Sequence, residues 1–155
     1  MREILFRGKA IKDINPDFTV NTQWVYGYYA KIKPCTGIYG KKEEYIEEEI
    51  PKIISGQEAI TVNPNTIGQY TGLKDKNGTK IFEGDIVKDA NNIINIIKFG
   101  FHNVYPQSYP YRCCQAYGFY LESYNESENI VSDFVSGFEI IGNIYENPEL
   151  LEDQA

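Results

Sequence analysis

Ile67-Gly68-Gln69-Tyr70-Thr71-Gly72-Leu73-Lys74-Asp75-Lys76-Asn77-Gly78-Thr79-Lys80-Ile81-Phe82-Glu83-Gly84-Asp85-Ile86-Val87-Lys88 is the stretch that decides the fold class. Ile67 to Leu73 reads as a strand. Lys74 to Lys80 turns it back, with Asn77-Gly78 expected to supply the two positive φ angles of a type I′ hairpin. Then come an apolar pair, Ile81-Phe82, a turn-capable Glu83-Gly84-Asp85, and a second apolar pair, Ile86-Val87. That order predicts a sharp bend feeding the first strand of a small barrel.

Outward from this block the same grammar repeats. Asn63-Pro64 and Asn65-Thr66 mark a turn before it, and Ile93 to Phe99 is the next strand after it. Nearer the start, Ile4 to Lys9 and Thr22 to Lys33 read as strands separated by Asn15-Pro16. In the second of these, Trp24, Tyr26 and Tyr28 share one face and Val25, Gly27 and Tyr29 the other. The aromatic face is expected to pack into the core or against a lobe. Lys33 to Lys42 is a loop by its Pro34, Gly37 and Gly40. In Lys41 to Ser55 five glutamates favour a helix, and Ile46, Ile50 and Ile54 fit its spacing, but Pro51 breaks it. An irregular or strand-like stretch is expected there. The glutamates themselves read as a solvated acidic face, because calcium loops mix Asp, Asn and Gly at fixed spacing.

Toward the end, Tyr105 to Tyr111 holds Pro106 and Pro110 and is a loop. Tyr117 to Tyr124 and Gly137 to Tyr145 alternate as strands, Asn147-Pro148 ends the last, and Glu149 to Ala155 is a short helix or a frayed tail. Seven or more short strands with close turns predict a mainly β protein with minor α content, antiparallel, arranged as a barrel or sandwich. The 155 residues suit one unit, 1–155, or two lobes, 1–60 and 61–155. With 42% hydrophobic and 24% charged residues the chain can build a core, and 14% aromatics, chiefly 13 Tyr and 8 Phe, favour strands.

Fifteen basic against 22 acidic residues give a formal charge of −7, which repels polyanions. Only Arg2, Arg7 and Arg112 supply the guanidinium suited to phosphate and guanine. Nucleic acid is therefore disfavoured as a partner. Met1 to Lys9 has no signal-peptide core, and Ile93 to Phe101, the most apolar window, falls short of the roughly 20 residues a membrane helix needs. A cytoplasmic protein with no membrane association is expected.

No catalytic constellation emerges. His102 is the only histidine, and Cys113-Cys114 lacks the two-to-four-residue spacing of structural zinc pairs, so neither a metal nor any other cofactor is expected. Cys35, Cys113 and Cys114 are odd in number and do not form a disulfide scaffold. Cys113 and Cys114 read as buried small hydrophobes and His102 as a surface imidazole, not as a nucleophile pair. Gly37-Ile38-Tyr39-Gly40-Lys41 fails as a phosphate loop, with Cys35 in place of the first glycine and Lys42 in place of the hydroxyl. Glu83 and Asp85 flank a turn glycine, where carboxylates bond backbone amides. For binding, Tyr105, Tyr109 and Tyr111 are the candidates, because tyrosines on a loop present flat apolar faces with polar tips.

Several pieces in order resemble the YopX family of phage and prophage proteins. They are Met1-Arg2-Glu3-Ile4 with Phe6-Arg7-Gly8-Lys9, then Trp24-Val25-Tyr26-Gly27-Tyr28, then Thr66 to Gly78 with Ile81 to Val87, and last Ile140-Ile141-Gly142-Asn143-Ile144-Tyr145-Glu146-Asn147-Pro148. Ile32 to Thr61 and Asn103 to Ser136 carry no part of the pattern. The resemblance implies a phage or prophage product of the bacterial cytoplasm, with a β-rich fold that includes an SH3-like small barrel. It implies no activity and no catalytic residue. The first expectation for function is a non-catalytic module that binds a host or phage protein. The alternative is a nucleic-acid-binding or regulatory small barrel with a basic groove around Lys74, Lys76, Lys80 and Lys88. An enzyme would require a deep pocket with convergent polar groups. Strand edges also invite pairing between copies, so a homo-oligomer is a further expectation.

Overall fold

The computed structural model describes residues 3–11, 23–32, 35–36, 44–45, 49–104, 114–123 and 137–152. They fall into two compact units, 1–69 and 70–155.

In the first unit, β1 (Phe6–Lys9), β2 (Trp24–Ile32), β5 (Ile50–Ser55) and β6 (Glu58–Thr61) form an antiparallel sheet in the order β6-β5-β2-β1. A short β3 (Cys35–Thr36) and β4 (Glu44–Tyr45) pair with each other. After a single 3-10 turn at Pro64–Thr66, β7 (Gly68–Lys74) begins by pairing Gly68 and Gln69 with Arg7 and Phe6. Residues 50–55 are thus a strand in spite of Pro51. Its carbonyl accepts from Val62 N–H at 3.2 Å, so the missing N–H lies on the side facing β6 and not in the β2 ladder. The β5–β6 hairpin turns through Gly56 at φ 61°. Ile53 and Val62, fully buried, are the core of this unit, and Gly8 lies against both. Gly27 is backed directly by the Ile54 carbonyl, leaving no room for a Cβ.

In the second unit β7 continues into a hairpin with β8 (Lys80–Phe82). A second antiparallel sheet has the order β11-β10-β9-β12, from β9 (Asp85–Lys88), β10 (Ile94–Val104), β11 (Cys114–Ser123) and β12 (Glu139–Asn143). One helical turn, α1 (Glu149–Glu152), follows. Ile81, Val87, Ile97, Leu121 and Phe138 form its core, with Phe119 and Ile140 packed on them. The mainly β, antiparallel class is as the strand pattern predicts. Among the described residues no strand pairing closes the sheet, which ends at β11 and β12.

The turn at 75–79 is a hairpin of a different type from the one Asn77-Gly78 suggests. Gly78 has φ 85°, but Asn77 is not in the positive-φ region, and Gly78 N–H bonds the Asp75 carbonyl at 3.0 Å. This is a type I turn followed by a left-handed glycine. The reason is Asp75, whose buried carboxylate accepts from the N–H groups of Asn77 (2.9 Å) and Thr79 (2.8 Å) and holds the loop in that form. At the next corner Gly84 takes φ 83° between β8 and β9, and the Asp85 carboxylate accepts Phe82 N–H at 2.7 Å. The chain thereby leaves one sheet and enters the other.

Candidate functional site

β9 pairs with β10 only at Ile94 to Ile96, whereas β11 pairs with it from Asn95 to Val104. Beyond Ile96, among the described residues, the two strands run on as a two-stranded ribbon. The antiparallel register places Ile97 opposite Leu121, Phe99 opposite Phe119 and Phe101 opposite Tyr117, all on one face. Burial falls along that face. Ile97 and Leu121 are in the core, Phe99 and Phe119 are half-buried, and Phe101 and Tyr117 are 75% and 63% exposed. The rings touch in series, with centroids 4.7 Å apart for Phe99–Phe119, 5.1 Å for Phe99–Tyr117 and 4.7 Å for Phe101–Tyr117. Edge-on and tilted ring pairs of this kind are favourable beyond the area they bury.

The other face of the ribbon is mixed. Lys98 is ion-paired with Glu122, and His102 stacks on Tyr120 with centroids 4.9 Å apart. The imidazole is buried, not on the surface as its sequence context suggested, and its Nδ1 lies 3.2 Å from the Gly100 carbonyl. The Tyr120 ring covers one side of it. Tyr105, Tyr109, Tyr111 and Cys113 lie outside the described residues, as do the side chains of Cys35 and Cys114. The ribbon leads directly to the Tyr105–Tyr111 segment, so the aromatic character read there begins earlier, at Phe99.

The lysines at 74, 76, 80 and 88 do not make a bare basic groove. Lys76 Nζ is 2.8 Å from the Glu139 carboxylate, and Glu139 pairs with Lys88 across β9 and β12. The hydrogen bond and charge of Lys76 hold Glu139 below the usual carboxylate range, with a smaller pull from Lys88. Lys80 stacks over the Tyr70 ring at 5.1 Å, directly opposite Lys74 across the hairpin. Asp85, 1% exposed, serves the Gly84 turn.

A second aromatic surface lies on β2. Tyr26 and Tyr28 are 47% and 66% exposed, so this face does not pack into the core as expected. The opposite face does that work, because Gly27 and its neighbours receive Ile53. Trp24 lies under Arg7 (4.6 Å) and Lys9 (5.6 Å) of β1. The alternation of the sequence shows these aromatics sharing a face. It does not show which face is buried.

A family model described as YopX protein matches residues 20–152, from the residues before β2 to the end of α1. The chain belongs to the YopX family. None of the curated proteins matches it. Among solved structures it is similar to protein EF1440 from Enterococcus faecalis, at 24% identity and a TM-score of 0.43, over 97% of this chain and 99% of that one. The YopX match takes in β2, the 75–79 turn, the Gly84 corner and the aromatic ribbon, and leaves out β1. No helix among the described residues is long and apolar enough to cross a membrane.

Proposed function

We propose that this YopX-family chain is a phage- or prophage-encoded, non-catalytic interaction module that acts in the bacterial cytoplasm by binding a host or phage protein. The observation that carries this reading is the ring ladder of Phe99, Phe119, Tyr117 and Phe101 on the β10–β11 ribbon, half-buried at its inner pair and exposed at Phe101 and Tyr117. Large exposed rings with no charge between them match an apolar protein surface, where aromatic side chains concentrate binding energy. Charge favours the same class of partner. Residues 70–155 hold six Lys and Arg against thirteen Asp and Glu, so the ribbon belongs to the acidic part of the chain. A regulatory small barrel of the SH3-like kind is the second reading, supported by the corner at Gly84, where one sheet passes into the next. Among the described strands β11 ends its sheet, and an edge of that kind is a ladder for pairing with a second copy.

The test is affinity capture from host lysate after nuclease treatment, comparing the full chain with Phe101→Ser and Tyr117→Ser. A stoichiometric protein partner that survives nuclease and is lost from both variants supports the reading. A partner retained by both variants, or recovery that depends on nucleic acid alone, overturns it.

A further inference from the structure

We infer that the outer face of β2, on the first unit, is a stacking site for single-stranded nucleic acid. This site is separate from the ribbon and does not rest on the reading of the ribbon as a protein-binding surface. The registers of β1, β2, β5 and β6 place Lys9, Arg7, Trp24, Tyr26, Tyr28, Ala30, Lys52 and Ile54 on one sheet face. Of the cations on that face Arg7 is buried, and Lys52 reaches the Ala59 carbonyl with its Nζ at 3.5 Å; the strand registers themselves place no Asp or Glu there. The −7 charge that argues against nucleic acid belongs elsewhere. Residues 1–69 hold nine Lys and Arg and nine Asp and Glu, while the whole of the excess lies in residues 70–155.

Tyr26 and Tyr28 are the exposed rings of this face. Residues two apart on a strand are separated by about 6.7 Å. Stacked bases in a duplex are about 3.4 Å apart along each strand, so rings at twice that spacing meet splayed, unstacked bases. A single strand can present its bases that way and a duplex cannot. Trp24 is held in place by the buried Arg7 guanidinium over its ring, and Lys9 and Lys52 stand on either side of the tyrosines to meet phosphates. Aromatic platforms flanked by cations bind single strands with little sequence preference, because every base has a π face.

The experiment is fluorescence anisotropy of the full chain with a labelled oligothymidylate and with a duplex of equal length. Saturable binding of the single strand is expected, tighter than that of the duplex, with a salt slope of about −1.4 to −2.1 for two to three phosphate contacts. Tyr26→Ala with Tyr28→Ala is expected to weaken it about tenfold or more. Lys52→Glu, which leaves both rings in place, lowers affinity too. Circular dichroism confirms that each variant is folded. Absence of saturable binding up to about 100 µM at low salt, the weak end of non-specific affinities, overturns the inference. So does equal binding by the tyrosine double variant or by Lys52→Glu.

Discussion

Asp75 does the work of several residues in one turn. It is buried, and its carboxylate accepts from backbone N–H groups of Asn77, Thr79 and, across 65 residues of sequence, Ile140. Burial alone pushes its pKa up, but these bonds together hold it below the ordinary value. A carboxylate with a depressed folded pKa contributes stability above its unfolded value of about 3.9, and that contribution is lost as pH falls through the folded value. Urea midpoints measured between about pH 2 and 7 are expected to drop for the native chain below about pH 4. Asp75→Ala should flatten that drop and cost about 2 kcal/mol at neutral pH, from lost bonds to a charged group. An unchanged pH profile in the variant would sink this assignment. Glycines separate in the same way. Gly78 and Gly84 both have positive φ, but a Cβ on Gly78 meets open space while one on Gly84 lies 3.0 Å from Tyr145 Cε2. Gly78→Ala is expected to cost about 1 kcal/mol for backbone alone, and Gly84→Ala at least about 2 with the clash added. Thermal melts giving the reverse order would refute this. The sequence pair Asn77-Gly78 announces a turn, but its type depends on where Asp75 points, which a dipeptide cannot show.

At the scale of elements, most strands are legible because their apolar residues alternate. β6 is not, since Glu58 and Ala59 have little strand preference and only Ser55-Gly56 hints at a turn. Residues 50–55 were ambiguous because Pro51 argues against a strand until its carbonyl is seen to face Val62. The β10–β11 ribbon illustrates what pairing adds to pattern. Its inner part, at Ile94 to Ile96, is flanked by β9 and β11, and its outer part has β11 alone among the described strands. Two-stranded ribbons are marginally stable by themselves. Amide hydrogens of Phe101 to Asn103 and Ala116 to Gly118 are therefore expected to exchange faster than those of Ile94 to Ile97 in native-state hydrogen exchange. Uniform protection along β10 would contradict that. Because Phe101 is so exposed, Phe101→Ser should shift stability by less than about 0.5 kcal/mol, which makes it a clean probe of binding.

For the whole molecule, a single net charge hides a partition. The first unit is formally neutral and the second carries all seven excess negative charges. An isoelectric point near 4.8 is thus set by residues 70–155. Turbidity scanned from about pH 4 to 7 is expected to peak near that value, where repulsion between copies vanishes. A flat scan would show that charge does not control its solubility. The aromatic face of β2 was visible as a pattern, and its exposure was not, because an alternating strand reads the same with either face inward. Gly27 removes that ambiguity. Sliding β2 by one residue against β5 puts Tyr26 or Tyr28 where Gly27 sits, and its Cβ runs into the Ile54 carbonyl. The slipped pairing is excluded by steric collision in the sheet, whatever the difference in apolar burial between the two faces. A residue without a side chain thus determines which set of rings the finished protein shows to its surroundings.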